Sequence, residues 1–191
     1  MISMMIWRDW TLYIKNYVGI MMFISTWYLI MTTTVLLSNL VTQKTIDSWI
    51  EDLLSIPNPA FANLPPCPYA KAAWVEGKVI VKKFVSFNQL KEDIKFIKDR
   101  VMIFYFKENT LPSCKDLEIL AKDLNLQFPD LIFYDEHPDT IEEVAGIKLN
   151  SGICALIVQD RKDLEKKREE LKKTGYYDNW NEEMKDRIFE K

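Results

Sequence analysis

The sequence predicts an α/β fold, a small layered sandwich with about four mixed or parallel strands of the ferredoxin-like or thioredoxin-like kind, preceded by an N-terminal apolar helix. Two observations lead to this prediction. Short apolar runs alternate with amphipathic stretches along the chain after residue 44. Before that point, no charged side chain occurs between Lys15 and Lys44. We therefore expect two parts, an apolar segment over 1–44 and an α/β domain over 45–191.

Strands and helices are predicted in alternation within the second part. Apolar runs predict strands over 78–85, 100–106, 130–134 and 152–158. Apolar residues at three- and four-residue spacing predict helices over 45–55, 87–99, 113–126 and 160–175. Ser113 is the expected N-cap of the third helix and Gly175 the expected stop of the fourth. The string Gly175–Trp180 predicts a segment that covers the sheet.

The apolar segment over 18–41 has three interpretations. Its 24 residues are enough to cross a bilayer core, which needs about 20, so a single-pass membrane anchor is one. A membrane-surface or partner-facing helix is the second, because Thr32–Thr34 and Ser38 make its later half less apolar. The third is a translation start near Met31. The first interpretation predicts a membrane location for the protein, and the third predicts a cytoplasmic one.

Composition excludes several functions. Residues 45–191 carry a net charge of −5 with dispersed basic side chains, so we expect no nucleic-acid partner. The chain has five glycines and no glycine-rich phosphate loop, which argues against the usual nucleotide chemistry. Its three cysteines and one histidine lack zinc-site spacing, so we expect neither a metal nor another cofactor.

The stretch NLPPCPYAKAAW, residues 63–74, places Cys67 between two prolines. A helix that begins near Tyr69, together with Lys71 one turn on, would lower the thiol pKa and favour a nucleophilic thiolate. The alternative is a buried cysteine that only packs, with Lys71 in solvent. Cys114, in the first turn of a predicted helix, is a weaker candidate, and Cys154 is expected in the core.

The stretch DEHPDT, residues 135–140, follows the third predicted strand and holds the chain's one histidine, His137. Ligands often bind at the carboxyl ends of strands in α/β sheets, so His137 is a candidate proton-transfer group. Asp139, Asp135 and Glu136 could orient it or bind a hard metal ion. The alternative is a surface turn capped by Asp139, with the histidine in solvent.

Residues 45–175 resemble a small family of uncharacterised bacterial proteins. Its C-P-[F/Y]-A-K motif matches Cys67, Pro68, Ala70 and Lys71, and its His-Pro-Asp segment matches His137, Pro138 and Asp139. Its Asn-containing stretch matches Asn150 and Ser151, after which the family has proline-containing sequence and this chain has Gly152–Cys154. The resemblance implies no activity, but it implies that the Cys67 and His137 segments belong to one site.

Two functions follow from these residues. One is a binding module for an unknown protein or small molecule, with Asn150, Ser151 and Trp74 as binding residues and an exposed apolar patch around Trp74 or Tyr176 and Tyr177. Cys67→Ser and His137→Ala would then cost only modest stability. The other is a thiol-dependent enzyme or redox protein. Cys67 would be its nucleophile, His137 its base, Asp139 the group that orients the base, and Lys71 the cation that stabilises the thiolate.

Overall fold

A mixed sheet of four strands forms the centre of the α/β unit. The computed structural model describes residues 44–107 and 110–189, and the unit begins at Thr45. The strands lie in the order β1-β2-β6-β3. Their bounds are β1 Val79–Lys83, β2 Val101–Tyr105, β3 Leu131–Glu136 and β6 Ala155–Asp160. Because β6 pairs antiparallel with both β2 and β3, while β1 pairs parallel with β2, the first three strands run in one direction.

Six helices, besides a 3₁₀ turn over Pro59–Phe61, occur in the described part of the chain. Helix α1 is α-helical over 44–48 and π-helical over Trp49–Leu54, and α3 continues into a 3₁₀ turn over Ile94–Phe96. The other bounds are α2 Ala70–Val75, α3 Phe87–Asp93, α4 Cys114–Gln127, α5 Arg161–Lys172 and α6 Glu182–Phe189. Side chains cap four of them, because Ser86, Ser113, Asp160 and Asn181 each accept a backbone N–H of the first turn.

One face of the sheet packs against α3 and α4. Alternate residues of β2 and β6 point to this face, among them Met102, Phe104 and Val158. The buried stripe of α4, Leu117, Ala121 and Leu124, covers them at helical spacing. Since the intervening residues of β2 are buried on the other face, this strand reads as a continuous apolar run, as expected for a strand covered on both sides.

The second face packs against α1 and α2. Ile103 and Tyr105 of β2 and Ala155 of β6 lie there with Ile46 and Ile50 of α1. Helix α5 lies on the same side, beside Tyr134 of β3, since Tyr134 pairs in register with Ile157 of this second core.

A third core lies around a small hairpin that the sequence did not predict. Strands β4, Glu142–Val144, and β5, Ile147–Leu149, form a separate two-stranded sheet. Val144 packs there with Phe61 and Leu171 and with the buried rings of Tyr176 and Tyr177. The Gly175–Trp180 segment therefore covers the hairpin and the turn at Phe61. The prediction that this segment covers the main sheet is wrong.

The α/β class and the four-stranded mixed sheet are confirmed. Leaving out the hairpin, the elements of the sheet follow the order β-α-β-α-β-β-α, which differs from the β-α-β-β-α-β order of a ferredoxin-like sandwich. Within the described residues, no helix combines the length and apolarity needed to cross a membrane. The predicted apolar segment over 18–41 lies outside the described residues.

Candidate functional site

Cys67 is held in place by its backbone. Its N–H donates to the carbonyl of Leu54 at the end of α1, at 3.1 Å, and its own carbonyl accepts the N–H of Ala70 at 3.1 Å. The Tyr176 hydroxyl donates to the carbonyl of Pro66. The proline segment therefore joins α1, α2 and the C-terminal part of the chain. Because proline has no backbone N–H, the prolines of this segment leave no hydrogen-bond donor unpaired in that structural role.

The Cys67 thiol does not have the lowered pKa that the nucleophile interpretation requires, and its raised pKa agrees with the alternative of a buried cysteine that packs. Burial raises its pKa, and this outweighs the backbone N–H groups of Tyr69 and Ala70 and the positive charge of Lys167, all of which lower it. Lys71, the cation expected to act on this thiol, is exposed. The lysine that does act, Lys167, comes from α5, and its amino group also lies 5.5 Å from the ring centroid of Tyr69.

Four tyrosines surround the Cys67 thiol. Its charge would interact with the hydroxyls of Tyr69, Tyr134, Tyr176 and Tyr177. Burial raises the pKa of Tyr177 to about 12 and raises the pKa of Tyr176 as well. These neutral hydroxyls and rings make the surroundings of Cys67 resemble a core more than an open thiolate site.

His137 is buried, with 6% of its surface exposed, and both of its ring nitrogens are engaged. Nε2 lies 3.2 Å from the carbonyl oxygen of Pro112, and Nδ1 lies 3.2 Å from the backbone N of Asp139. A carbonyl can only accept and a backbone N–H can only donate, so the ring is the neutral tautomer with its proton on Nε2. The histidine joins the loop before α4 to the turn after β3, and it lies in neither a solvated turn nor an open cleft.

Asp139 contributes its backbone more than its carboxylate. Its side chain is 87% exposed, and Oδ2 lies 3.7 Å from Nδ1 of His137. Such a distance is long for the orienting hydrogen bond that the enzyme hypothesis assigned to this carboxylate. Asp139 therefore positions the histidine through its N–H.

Asn150 and Ser151 belong to the same end of the molecule. The Asn150 amide donates to the carbonyls of Pro138 and Thr140 at 2.8 and 2.7 Å, and its oxygen accepts the N–H of Gly152 at 2.8 Å. Asn150 is thus a brace between the turn after β3 and the segment before β6. Ser151 hydrogen-bonds the carboxyl of Glu136.

Glu136, at the carboxyl end of β3, has a shifted pKa that the sequence did not predict. Burial, with smaller contributions from the charges of Glu142 and Asp135, raises its pKa to about 7, although the Ser151 hydrogen bond opposes this.

The structure does not bring Cys67 and His137 together. The Cys67 thiol interacts with Tyr134, which lies on the second face of the sheet with Ile157. His137 hydrogen-bonds the loop that leads into α4, the helix on the first face. Among the described residues, no hydrogen bond or electrostatic interaction joins the two side chains, so the structure gives no support to the Cys67–His137 pair that the thiol-enzyme hypothesis requires.

The prediction of an exposed apolar patch around Trp74, or around Tyr176 and Tyr177, is also wrong. Tyr176 and Tyr177 are buried in the third core, and Trp74 is half-buried against the second. Their apolar surface therefore stabilises the fold and is not presented to solvent.

Aromatic rings are exposed elsewhere, at the carboxyl ends of β1 and β2. Phe84 stacks on Phe106 with ring centroids 4.6 Å apart and meets Phe87 edge to face at 5.6 Å. Beside them, Val85 is 70% exposed and Phe87 is 47% exposed. We call these four residues the carboxyl-end aromatic surface. In the sequence, this surface corresponds to the string FVSF at 84–87, where the pattern predicts the end of a strand and the start of a helix.

No metal site appears among the residues that the structure describes, because no three His, Cys, Asp or Glu side chains there are grouped so as to hold an ion. Comparison with known proteins supplies no relative. No family model, no curated protein and no solved structure matches this chain.

Proposed function

We propose that the α/β unit is a binding module that presents the carboxyl-end aromatic surface to a protein partner. The observation that carries this proposal is the exposure of Val85 and Phe87 beside stacked rings. Aromatic side chains are enriched at the centres of protein interfaces, where they supply most of the binding energy.

Its position in the fold supports the proposal. β1 and β2 are neighbouring parallel strands, so their carboxyl ends lie at one edge of the sheet, where α/β proteins bind ligands. The Phe84–Phe106 pair anchors Phe87 to the first core, so the surface is held rigid. A rigid surface loses little conformational entropy on binding.

Lysines suggest the chemistry of the partner. Lys107 follows Phe106, and Lys91 lies one helical turn after Phe87. The two groups together fit a partner segment that carries apolar side chains next to carboxylates.

A photo-crosslinking experiment tests this proposal. A photoactivatable phenylalanine analogue replaces Val85 in the full-length chain, which is expressed in the organism that encodes it. We expect a discrete crosslinked protein, identified by mass spectrometry. The matched control carries the same analogue at Leu126, an 82% exposed apolar position on α4. Equal labelling from both positions, or no adduct from position 85, would contradict the proposal.

Tethering of this unit to a membrane is a second part of the proposal, and it is supported by the length and apolarity of residues 18–41. In the anchored form, the full-length protein stays in the membrane fraction after high salt and carbonate washes and leaves it only with detergent. Release by carbonate alone would exclude the anchor and favour a peripheral helix or a start near Met31.

A further inference from the structure

The two edges of the main sheet differ in how their backbone groups are satisfied. At the β3 edge, Asn125 bonds both the N–H and the C=O of Phe133, and Arg161 donates to the carbonyl of Leu131 at 3.2 Å. β1 forms the opposite edge, and its one neighbour in the described part of the chain is β2. Side chains therefore close the β3 edge along these residues, and β1 is the edge at which a further strand can join the sheet.

Alternate residues of β1 direct their backbone groups away from β2. The carbonyl of Lys78 and the N–H of Phe84 both bond to β2, at 2.9 and 2.8 Å. Because these directions alternate along a strand, the even-numbered residues face β2, and Val79, Val81 and Lys83 face outward. No hydrogen bond from the described part of the chain reaches these outward groups. Each of the three residues therefore offers a donor and an acceptor to an added strand.

The open edge of β1 is apolar along most of its length. Val79, Ile80 and Val81 are half-buried, whereas Met102 and Ile103, their neighbours on β2, are buried. Because successive side chains alternate between faces, apolar surface stays exposed on both faces of the sheet at this edge. An added strand would cover this surface, and strand addition of this kind takes its affinity from main-chain bonds and its specificity from alternate side chains.

Charge favours an acidic strand over a second copy of this chain. β1 carries Lys82 and Lys83 and no carboxylate. Asp93 of α3 pairs with Lys82 at 2.5 Å, whereas Lys83 is exposed and makes no ion pair within the described residues. A second copy of β1 would add only positive charges to the ladder. A carboxylate on the added strand beside Lys83 would be favourable.

The open edge leads directly into the carboxyl-end aromatic surface. Pairing with β2 continues to Phe84, and Ser86 has an extended backbone with φ −163° and ψ 162°. Val85 lies between them and is 70% exposed. A strand added along β1 would therefore run towards Val85, the position of the photo-crosslinker.

We propose that the partner joins the main sheet as an additional strand along β1. The partner is a protein with an extended segment whose backbone bonds Val79, Val81 and Lys83. Its apolar residues cover the half-buried side chains of β1, and its carboxylate lies beside Lys83. This inference rests on the proposed binding function, because it states how the partner of the carboxyl-end aromatic surface is held.

A proline substitution tests this inference in the crosslinking experiment at position 85. Lys83→Pro removes an outward N–H and keeps the bonds between β1 and β2, since proline is tolerated on edge strands where its position faces solvent. The matched control, Lys83→Ala, removes the same charge and keeps the N–H. We expect Lys83→Pro to reduce the adduct about tenfold or more, and Lys83→Ala to reduce it less than about threefold.

Hydrogen exchange supplies a second measurement that decides the inference even if Lys83→Pro fails to fold in thermal unfolding. The crosslinked complex, purified through an affinity tag on this chain, is compared with the chain that has not been crosslinked. We expect the amides of Val81 and Lys83 to exchange about tenfold or more slowly in the complex. The amides of Ile80 and Lys82, which already bond to β2, should change little and serve as the internal control.

The outcomes separate the added strand from the proposed binding function. Equal adducts from Lys83→Pro and Lys83→Ala, or unchanged exchange at Val81 in the complex, would overturn strand addition and leave the binding function in place. An adduct that contains a second copy of this chain would also overturn it. Absence of any adduct from position 85 would contradict the binding function itself, and this inference with it.

Discussion

At His137, the residue that looked most like a catalytic base acts as a structural brace. Both ring nitrogens are hydrogen-bonded inside the protein, to Pro112 and to the backbone of Asp139. A proton-transfer group needs one nitrogen directed at substrate, so this arrangement favours a role in stability.

His137→Ala should lower the free energy of unfolding by about 2–4 kcal/mol, because it removes a buried ring and leaves the half-buried Pro112 carbonyl and the Asp139 N–H without their partner. This cost exceeds the modest one that the sequence alone predicted. Urea denaturation measures it. The control is Asp139→Ala, which keeps the backbone N–H and should cost less than about 0.5 kcal/mol. Equal effects of the two substitutions would contradict this role.

Glu136 should make stability depend on pH. Its pKa of about 7 lies above the ordinary value of 4.5, so between these values the folded state holds a proton that the unfolded chain has lost. The resulting stabilisation is full below pH 4.5 and is lost as pH rises through 7. The loss should be about 3 kcal/mol, because the folded and unfolded pKa values differ by about 2.5 and each unit corresponds to about 1.4 kcal/mol.

Glu136→Gln tests that dependence, because the amide stays neutral at every pH. We expect the variant to be more stable than the wild type at pH 8 and to lose less stability between pH 5 and pH 8 in urea titrations. Glu143→Gln, at an exposed position of β4, is the matched control and should keep the wild-type profile. A Glu136→Gln profile parallel to that of the wild type would show that this carboxyl ionises normally.

The residue-level chemistry was predictable from the sequence only where partners are local. Ser113 was identified as an N-cap because its partner, the N–H of Asp116, is three residues away. One partner of His137, the carbonyl of Pro112, is 25 residues away, and the cation near Cys67 is Lys167 of α5. Neither spacing leaves a local signal, so the expected pair of Cys67 with His137 had no basis in geometry.

At the scale of elements, β3 shows how an edge strand is protected. Asn125 of α4 bonds both backbone groups of Phe133, accepting its N–H at 2.8 Å and donating to its carbonyl at 2.9 Å. The side chain thus takes the place of a further strand at that position and keeps the edge from pairing with another chain.

Asn125→Ala should destabilise the fold by about 1–3 kcal/mol, because the backbone groups of Phe133 lose their partners. It should also speed hydrogen exchange at the Phe133 amide more than at β2 amides in the centre of the sheet. Leu126→Ala, at the next and largely exposed position, should change neither quantity. Unchanged exchange at Phe133 in Asn125→Ala would show that another group protects this edge.

Periodicity predicted the long elements, and non-local packing determined the rest. The four predicted strands and four predicted helices all occur, with ends that differ by a few residues. The β4–β5 hairpin was missed because its turn, Ala145–Gly146, puts a non-glycine residue at φ 52°, where asparagine or aspartate is the usual signal. The position of β6 between β2 and β3 depends on contacts between distant segments, which periodicity does not encode.

At the scale of the whole unit, the motif residues and the exposed surface have different roles. Cys67 and His137 belong to braces inside the fold, whereas the carboxyl-end aromatic surface lies outside them.

The most direct test of the proposed binding surface repeats the crosslinking experiment at position 85 and compares two substitutions. Phe87→Ser removes an exposed ring of the aromatic surface, and Lys71→Ala removes the motif cation. Thermal unfolding confirms that both variants fold. We expect Phe87→Ser to reduce the adduct about tenfold or more and Lys71→Ala to leave it unchanged. Loss of the adduct in Lys71→Ala, with retention in Phe87→Ser, would place binding at the cysteine motif and contradict the account.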